Sequence, residues 1–233
     1  MMKIQRIYFV VAAVVLALLN SAVSAGTILN APAPAVSGPG LGFAAVALIA
    51  TLSPNNDNVP AAGVPDNNIT VPLKRFDFAD YIDIEFSVAP SNGGVTEYQV
   101  SEFVDNNTGS PWSSYRMVLG TGTGAGFVIS ALNDGLDFDA PTYDTPPTSV
   151  PFPTVNAPDE DQLVFSGGSH GNGAQPYSFR IDVPDMDRGV VLGHFTLRQI
   201  PTAVPEPASL AIWSLLGLVG FRCRRGQKTT PAG

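Results

Sequence analysis

Two acidic clusters hold the side chains that are best suited to binding a metal ion. They are the segments NDGLDFD at 133–139 and DVPDMD at 182–187. If the end of the first segment is a strand, Asp137 and Asp139 project from the same face, because side chains alternate along a strand with a period of two. Carboxylate oxygens are preferred ligands of hard cations, so these two residues are candidate calcium ligands, although the spacing is not that of an EF-hand loop. The alternative is a pair of solvated acidic loops.

Other chemistry has little support. His170 lies in a glycine-rich loop and His194 in a predicted strand, and neither belongs to a nucleophile motif. The glycine run GTGTGAG at 120–126 lacks the Lys-Ser/Thr pair of a phosphate-binding loop. We therefore predict no catalytic residue and no cofactor other than calcium. A glycoside hydrolase that uses two carboxylates stays open, since the sequence does not give their separation.

A different kind of site lies near the C-terminus. The motif VPEP is followed by an uncharged apolar run and then by arginines; the residues are Val204, Pro205, Glu206 and Pro207, the run from Ser209 to Phe221, and Arg222, Arg224 and Arg225. A helix over that run is about 20 Å long, short against a hydrocarbon core of about 30 Å. The arginines favour a cytoplasmic C-terminus, and the prolines stop the helix from extending backwards. The pattern predicts a single transmembrane helix with a stiff extended peptide before it.

This arrangement resembles the PEP-CTERM sorting signal of exported bacterial proteins. The resemblance covers residues 204–225, and a short tail at 226–233 extends beyond the usual end of such signals. It implies recognition by an exosortase-type processing enzyme, which cleaves near the motif and releases or re-attaches the body. It also implies a frequent association with an exopolysaccharide matrix. Similar tails occur on ice-binding proteins, so the resemblance implies nothing about the activity of the body.

The N-terminus has the pattern of a secretory signal peptide. Lys3 and Arg6 precede an apolar run, and small residues lead to a predicted cleavage after Ala25. The secretion translocon is therefore an expected partner. Between Arg6 and Arg222 the chain has six basic and twenty acidic residues, a net charge of −14. Such a surface repels nucleic acid, and we predict no nucleic-acid partner.

The elements that position these residues are predicted to be strands. After the signal peptide at 1–25, residues 26–70 are a Pro/Ala/Gly-rich lead-in, whose apolar run at 41–52 is either a strand or a helix. Residues 71–203 read as short strands between Gly, Pro and Asn turns, which is typical of an antiparallel β-sandwich. Individual strands are predicted at 76–88, 95–104, 112–119, 127–132, 162–165, 177–183 and 190–200, with the first two forming a hairpin across the turn SNGG.

One turn and strand also resemble an element found in exported β domains that carry this tail. The segment NNTGSPWSSYRMVL begins at Asn106, and it places Trp112 and Tyr115 as anchors of a strand across the core. The sequence as a whole predicts an all-β protein, with one sandwich followed by a sorting segment. We expect the protein to be exported, held transiently at the inner membrane, and then located at the cell surface or outside the cell. A structural or adhesive matrix role is the first hypothesis. A carbohydrate- or ice-binding module is the second and a secreted hydrolase the third.

Overall fold

The structure is a computed structural model that describes residues 25–52, 67–91, 95–140, 143, 145–185 and 193–204. Its contacts divide the chain into two units, Met1–Ala203 and Val204–Gly233. Only Val204 of the second unit is described. The predicted signal sequence up to residue 24, the motif from Pro205, the apolar run and the arginines all lie outside the described residues.

The described part of the first unit is built from strands. It contains fourteen strands, one turn of 3-10 helix at Gly124–Gly126, and no α-helix. The strands are β1 Ala25–Ile28, β2 Ala35–Ser37, β3 Leu41–Ala44, β4 Leu48–Ala50, β5 Asn68–Phe76, β6 Ile82–Ser91, β7 Thr96–Asn106, β8 Trp112–Thr121, β9 Val128–Ile129, β10 Thr148–Ser149, β11 Thr154–Asp159, β12 Gln162–Ser166, β13 Gly173–Val183 and β14 Gly193–Ala203.

These strands form two sheets around a shared core. The first sheet has the order β1-β6-β14-β8-β12-β11, with β2 paired to β6 and β9 to β8. The second has the order β10-β13-β7-β5-β3, with β4 paired to β5. Every pair is antiparallel except β5 with β7, which is parallel. The prediction of an all-β protein with antiparallel sheets is confirmed, and the parallel pair is an addition that the sequence did not predict.

The core is formed by the inward rows of both sheets. Ile82, Ile84 and Phe86 share the buried face of β6, as their alternation predicts. Phe86 stacks on Phe195 of the neighbouring β14, with ring centroids 4.9 Å apart. Side chains that leave water together in this way provide most of the driving force for folding.

Trp112 and Tyr115 lie in the core, as the resemblance of this turn and strand implies. Both are fully buried, and their rings stack with centroids 5.8 Å apart. The Asn-Thr-Gly turn before them is fixed by its own side chains, since the Thr108 amide donates to Asn106 Oδ1 at 3.0 Å and the indole of Trp112 donates to Thr108 Oγ1 at 3.2 Å. Gly109 has φ of +81°, a conformation that a residue with a Cβ adopts only with strain.

The predicted hairpin between 76–88 and 95–104 is wrong. The first segment divides into the end of β5 and most of β6, and β6 pairs with β1, β2 and β14 in one sheet. The second segment is β7, which pairs with β5 and β13 in the other sheet. Alternation indicates which face of a strand is buried but not which strand lies beside it. The pattern therefore could not show that these two consecutive segments belong to different sheets. The apolar run at 41–52 forms β3 and β4, two short strands on β5.

We expect Phe76→Ala to lower the free energy of unfolding by about 3–5 kcal/mol, the usual cost of removing a buried phenylalanine ring. Phe76 is fully buried, and its ring meets Trp112 edge-on at 5.2 Å. Phe78→Ala is the matched control, because Phe78 is 66% exposed two residues further along the chain. Denaturant unfolding followed by circular dichroism measures both, and equal losses in the two variants would contradict the core assignment.

Candidate functional site

The most unusual group of polar side chains lies inside the core. Lys74, Glu102 and Gln199 come from β5, β7 and β14, and each is at most 1% exposed. Lys74 Nζ donates to Glu102 Oε2 at 2.7 Å and also donates to the carbonyl Oε1 of Gln199. Gln199 Nε2 donates to both carboxylate oxygens of Glu102, at 2.9 and 3.0 Å. The three side chains therefore form a closed polar triad between the two sheets.

A bulge in β5 turns Lys74 inwards. Val71 pairs with Glu102 of β7, but Lys74 pairs with Val104, so three residues of β5 cover two residues of β7. Pro72 lies within this irregularity, where its missing N–H is not needed for a hydrogen bond between the strands. Without the extra residue, Lys74 would lie on the outer face, because a shift of one residue reverses every side chain.

Glu102 and Gln199 occupy ordinary inward positions. Glu102 lies in the buried row of β7 between Val100 and Val104. Gln199 lies in the buried row of β14, and its neighbours in register are Ile82 of β6 and Met117 of β8. A charged or amide side chain in such a row must find partners in the core, since an unpaired buried polar group is costly.

Aromatic rings surround the triad and exclude water. Lys74 Nζ is 5.9 Å from the ring centroids of both Phe76 and Tyr115. Burial lowers the pKa of Lys74 below its usual value, and the charge of Glu102 and its hydrogen bond oppose that shift. Burial, followed by the charge of Glu102, raises the pKa of Tyr115 well above its usual value, so that its hydroxyl stays protonated. The site joins an amine, a carboxyl group and a carboxamide in a dry environment.

Sequence reasoning missed all three members, although each left a signal. Lys74 is the only lysine between Lys3 and Lys228, and a proline two residues earlier marks the irregular strand. Glu102 and Gln199 interrupt apolar rows that are otherwise regular. A charge or amide in the inward row of a predicted strand is the pattern that could have identified them.

Asp137 and Asp139 do not share a strand face, so the geometric basis of their pairing is wrong. Asp139 has φ of +56°, and its amide donates to Asp137 Oδ1 at 2.8 Å, which makes a tight turn. The backbone of Asp137 forms a bridge with Asp182 of the second acidic cluster. No group of three or more His, Cys, Asp and Glu side chains is arranged to hold a metal ion within the described ranges. Calcium binding by this pair stays a prediction from the sequence.

Two carboxyl groups in this acidic region have strongly raised pKa values. Burial, partly offset by the hydrogen bond from Asp139 and reinforced by Glu160 and Asp134, raises the pKa of Asp137 to about 6. Burial, then the surrounding acidic charges beginning with Asp134, raises the pKa of Asp161 to about 7. Asp161 is 1% exposed, and neither of its carboxyl oxygens has a hydrogen-bond partner among the residues described. Both groups are therefore destabilised as anions.

The histidines and the glycine run have structural partners. His170 is buried beside Trp112, where its Nδ1 lies 2.9 Å from the Tyr177 hydroxyl, and burial lowers its pKa. His194 is exposed on β14, as expected for an ordinary strand residue.

The glycine run is tied to the first sheet. The Gly124 amide donates to Asp83 Oδ2 at 2.8 Å, and Arg198 donates to Asp83 and to the Gly124 carbonyl. The guanidinium carbon of Arg198 lies about 4 Å from the ring centroids of Tyr81 and Phe127. The glycine run therefore forms an ordered turn in which the Gly124 amide is already occupied.

A shallow groove lies on the outer face of the second sheet. It encloses about 270 Å³. Its walls carry Phe103, which is 50% exposed, and Val150, which is 69% exposed. The lining also includes the hydroxyl groups of Thr70, Ser101, Thr148, Ser149 and Ser178. An exposed ring among hydroxyls offers a stacking surface with hydrogen-bonding groups at its edge.

The predicted sorting residues give no geometry to describe beyond Val204, which follows β14 directly. Ala25, the residue before the predicted signal cleavage, is the first residue of β1. In the described part of the chain, no helix has the length and apolar character to span a membrane. Comparisons with protein-family models, with curated proteins and with solved structures gave no match to this chain.

We expect Asp161→Asn to stabilise the protein increasingly as the pH rises from about 4 to about 8. The raised pKa of Asp161, about 7 against a usual 3.8, means that the folded state holds its proton more tightly than the unfolded state. That stabilisation is complete below about pH 4 and is lost as the pH rises through about 7, whereas the neutral amide has no proton to lose.

Urea unfolding at several pH values measures this difference between the variant and the wild type. Glu85→Gln, on a partly exposed position of β6, is the control and should follow the wild-type curve. Parallel curves for Asp161→Asn and the wild type would contradict the assignment.

Proposed function

We propose that this protein is exported, sorted at its C-terminus by an exosortase-type enzyme, and located at the cell surface or in the extracellular matrix. The observation that carries the proposal is the order of three elements after β14: the Pro-Glu-Pro motif, a short apolar run and a cluster of arginines. One element alone is common, but a proline-bounded peptide at the membrane surface followed by a short helix and a basic end fits recognition and cleavage by a membrane-embedded protease.

The proposed path has distinct steps. The secretion translocon exports the body and the signal peptide is removed after Ala25. The apolar run that begins at Ser209 then holds the protein transiently in the inner membrane, with the body outside and Arg222, Arg224 and Arg225 on the cytoplasmic side. The body is a single antiparallel β-sandwich with the parallel β5–β7 pair as its exception. Its role is structural or adhesive, in association with exopolysaccharide, and its negative charge suits solubility in an anionic matrix.

A carbohydrate-binding role is the second candidate, and the groove on the second sheet favours it. Phe103 is half exposed in a groove whose lining also carries five serine and threonine hydroxyl groups. Sugar rings stack on aromatic faces and form hydrogen bonds to hydroxyl groups at their edges. The described strands carry no regular threonine array, which gives the ice-binding alternative less support. A secreted hydrolase stays the third alternative.

We expect that co-expression of the full chain with an exosortase shortens its C-terminus and releases it from the membrane fraction. Glu206→Ala and Pro207→Ala should block both changes, because the motif supplies the recognised peptide. Pro231→Ala, beyond the basic cluster, is the matched control and should be processed normally. Mass spectrometry of the C-terminus and membrane fractionation measure the outcome. An intact C-terminus both with and without the exosortase would mean a plain membrane anchor and would overturn the sorting proposal.

We expect Phe103→Ala to weaken binding to the exopolysaccharide of the producing cell by about fivefold, the effect of losing roughly 1 kcal/mol of aromatic contact. Sedimentation with the insoluble polysaccharide measures the bound fraction. Phe78→Ala removes a ring of similar exposure outside the groove and should bind like the wild type. If neither variant changes the bound fraction, the groove is not the binding surface.

A further inference from the structure

The triad in the core contains the parts of an amide-forming reaction. The amine of Lys74 is a nucleophile once it loses its proton, and the carboxamide of Gln199 is an electrophile with ammonia as the leaving group. Glu102 contacts both partners: its Oε2 accepts from Lys74 Nζ at 2.7 Å, and its two oxygens accept from the leaving nitrogen, Gln199 Nε2, at 2.9 and 3.0 Å. One carboxyl group therefore reaches the nitrogen that must lose protons and the nitrogen that must gain one.

We propose that Lys74 and Gln199 form an intramolecular isopeptide bond, with Glu102 as the proton shuttle, so that the two sheets are covalently joined through the core. The amine already lies against the carbonyl group that it would attack, because Nζ is in hydrogen-bond contact with Oε1. Reacting groups that the fold holds in contact in this way react at effective concentrations far above any in solution. The reaction needs no other enzyme and no oxidant.

The steps balance in atoms and charge. The Lys74 ammonium gives a proton to the Glu102 carboxylate, and the neutral Nζ attacks the Gln199 carbonyl carbon, Cδ, to form a C–N bond. Glu102 then gives its proton to Nε2 and takes a second proton from Nζ. The Cδ–Nε2 bond breaks, and its electron pair leaves with Nε2 as ammonia. The products are a secondary amide, ammonia and a neutral Glu102 carboxylic acid.

The surroundings favour this outcome over a permanent ion pair. A buried charge pair carries a desolvation cost that its mutual attraction repays only in part, and the reaction replaces both charges with neutral groups. The other titratable groups that face the triad are the hydroxyls of Tyr115 and Tyr177, whose raised pKa values keep them neutral. The hydroxyl of Tyr115 has no hydrogen-bond partner among the described residues. It is therefore a spare donor in the wall of the site.

Arg180 and Glu97 provide an internal comparison. They form another ion pair that is largely buried, and Gln99 accepts a hydrogen bond from Arg180 Nε. An arginine stays protonated throughout the accessible pH range and is not a nucleophile there. The same three kinds of group, with arginine in place of lysine, therefore give only a salt bridge. The identity of the amine is what makes the core triad reactive.

The experiment is peptide mapping of the full chain, purified after export and digested with a protease that cuts after glutamate. Cuts after Glu85 and Glu160 leave Lys74 and Gln199 inside two different peptides. We expect those peptides to appear as one joined species, lighter by about 17 Da than their sum because ammonia has left. Fragmentation must place the junction at Lys74 and Gln199. Trypsin is unsuitable, because it makes Gln199 an N-terminal residue that loses ammonia by itself.

Three variants test the assigned roles. Lys74→Met and Gln199→Met remove the nucleophile and the electrophile, and each should yield two separate peptides. Glu102→Gln keeps both reactants and removes the shuttle, so it should also yield separate peptides. Gln162→Met is the matched control, since Gln162 lies in β12 and contacts Arg116 and Asp159 outside the triad, and it should keep the joined species.

The wild-type map decides the proposal even if a core variant fails to fold. Separate, unmodified peptides from the folded wild-type chain would overturn it and leave the triad as a hydrogen-bonded ion pair. A joined species in Glu102→Gln would overturn the role of Glu102 as the shuttle. Ammonia loss confined to Asn92-Gly93, a sequence that can cyclise, would leave the two peptides separate and would count against the cross-link.

Discussion

The fold depends on solving one electrostatic problem, which is the presence of an ammonium and a carboxylate in a core that is otherwise apolar. Neither charge reaches water. Lys74 and Glu102 belong to the second sheet, and Gln199, which contacts both, belongs to the first. Because an uncompensated buried charge destabilises a protein strongly, the positions of β5, β7 and β14 must agree closely. The bulge after Val71, the inward row of β7 and the register of β14 therefore act as one constraint. The aromatic side chains around the triad can pack efficiently only where that constraint is met.

The sequence predicted what depends on local pattern. The alternation in β6 identified Ile82, Ile84 and Phe86 as buried, and the resemblance of the segment at 106–119 identified Trp112 and Tyr115 as core anchors. The turn at Asn106 was also evident, because its residue types suit few other conformations. These features follow from the chemistry of a few adjacent residues, so they can be read without knowledge of which strands pair.

The rest depends on long-range pairing. The sequence does not specify that β6 joins β14 rather than β7, since both choices bury the same face. The triad was missed for a related reason: plain alternation assigns Lys74 to solvent, and only the bulge against β7 reverses it. Alternation assigned Asp139 to a strand. In the structure Asp139 lies in a turn with a left-handed backbone conformation, which a period of two cannot indicate. In each case a contact with a distant segment overrides the local preference.

The position of β14 has a mechanical consequence. It lies inside its sheet, with β6 on one side and β8 on the other, and the chain continues from its end to Val204. If the protein is held at its C-terminus, a pull along β14 loads the hydrogen bonds of both ladders at once and in shear. A strand at the edge of the sheet would carry the same force on a single ladder of hydrogen bonds. Because β14 is paired on both sides, it would resist being drawn out more strongly than an edge strand.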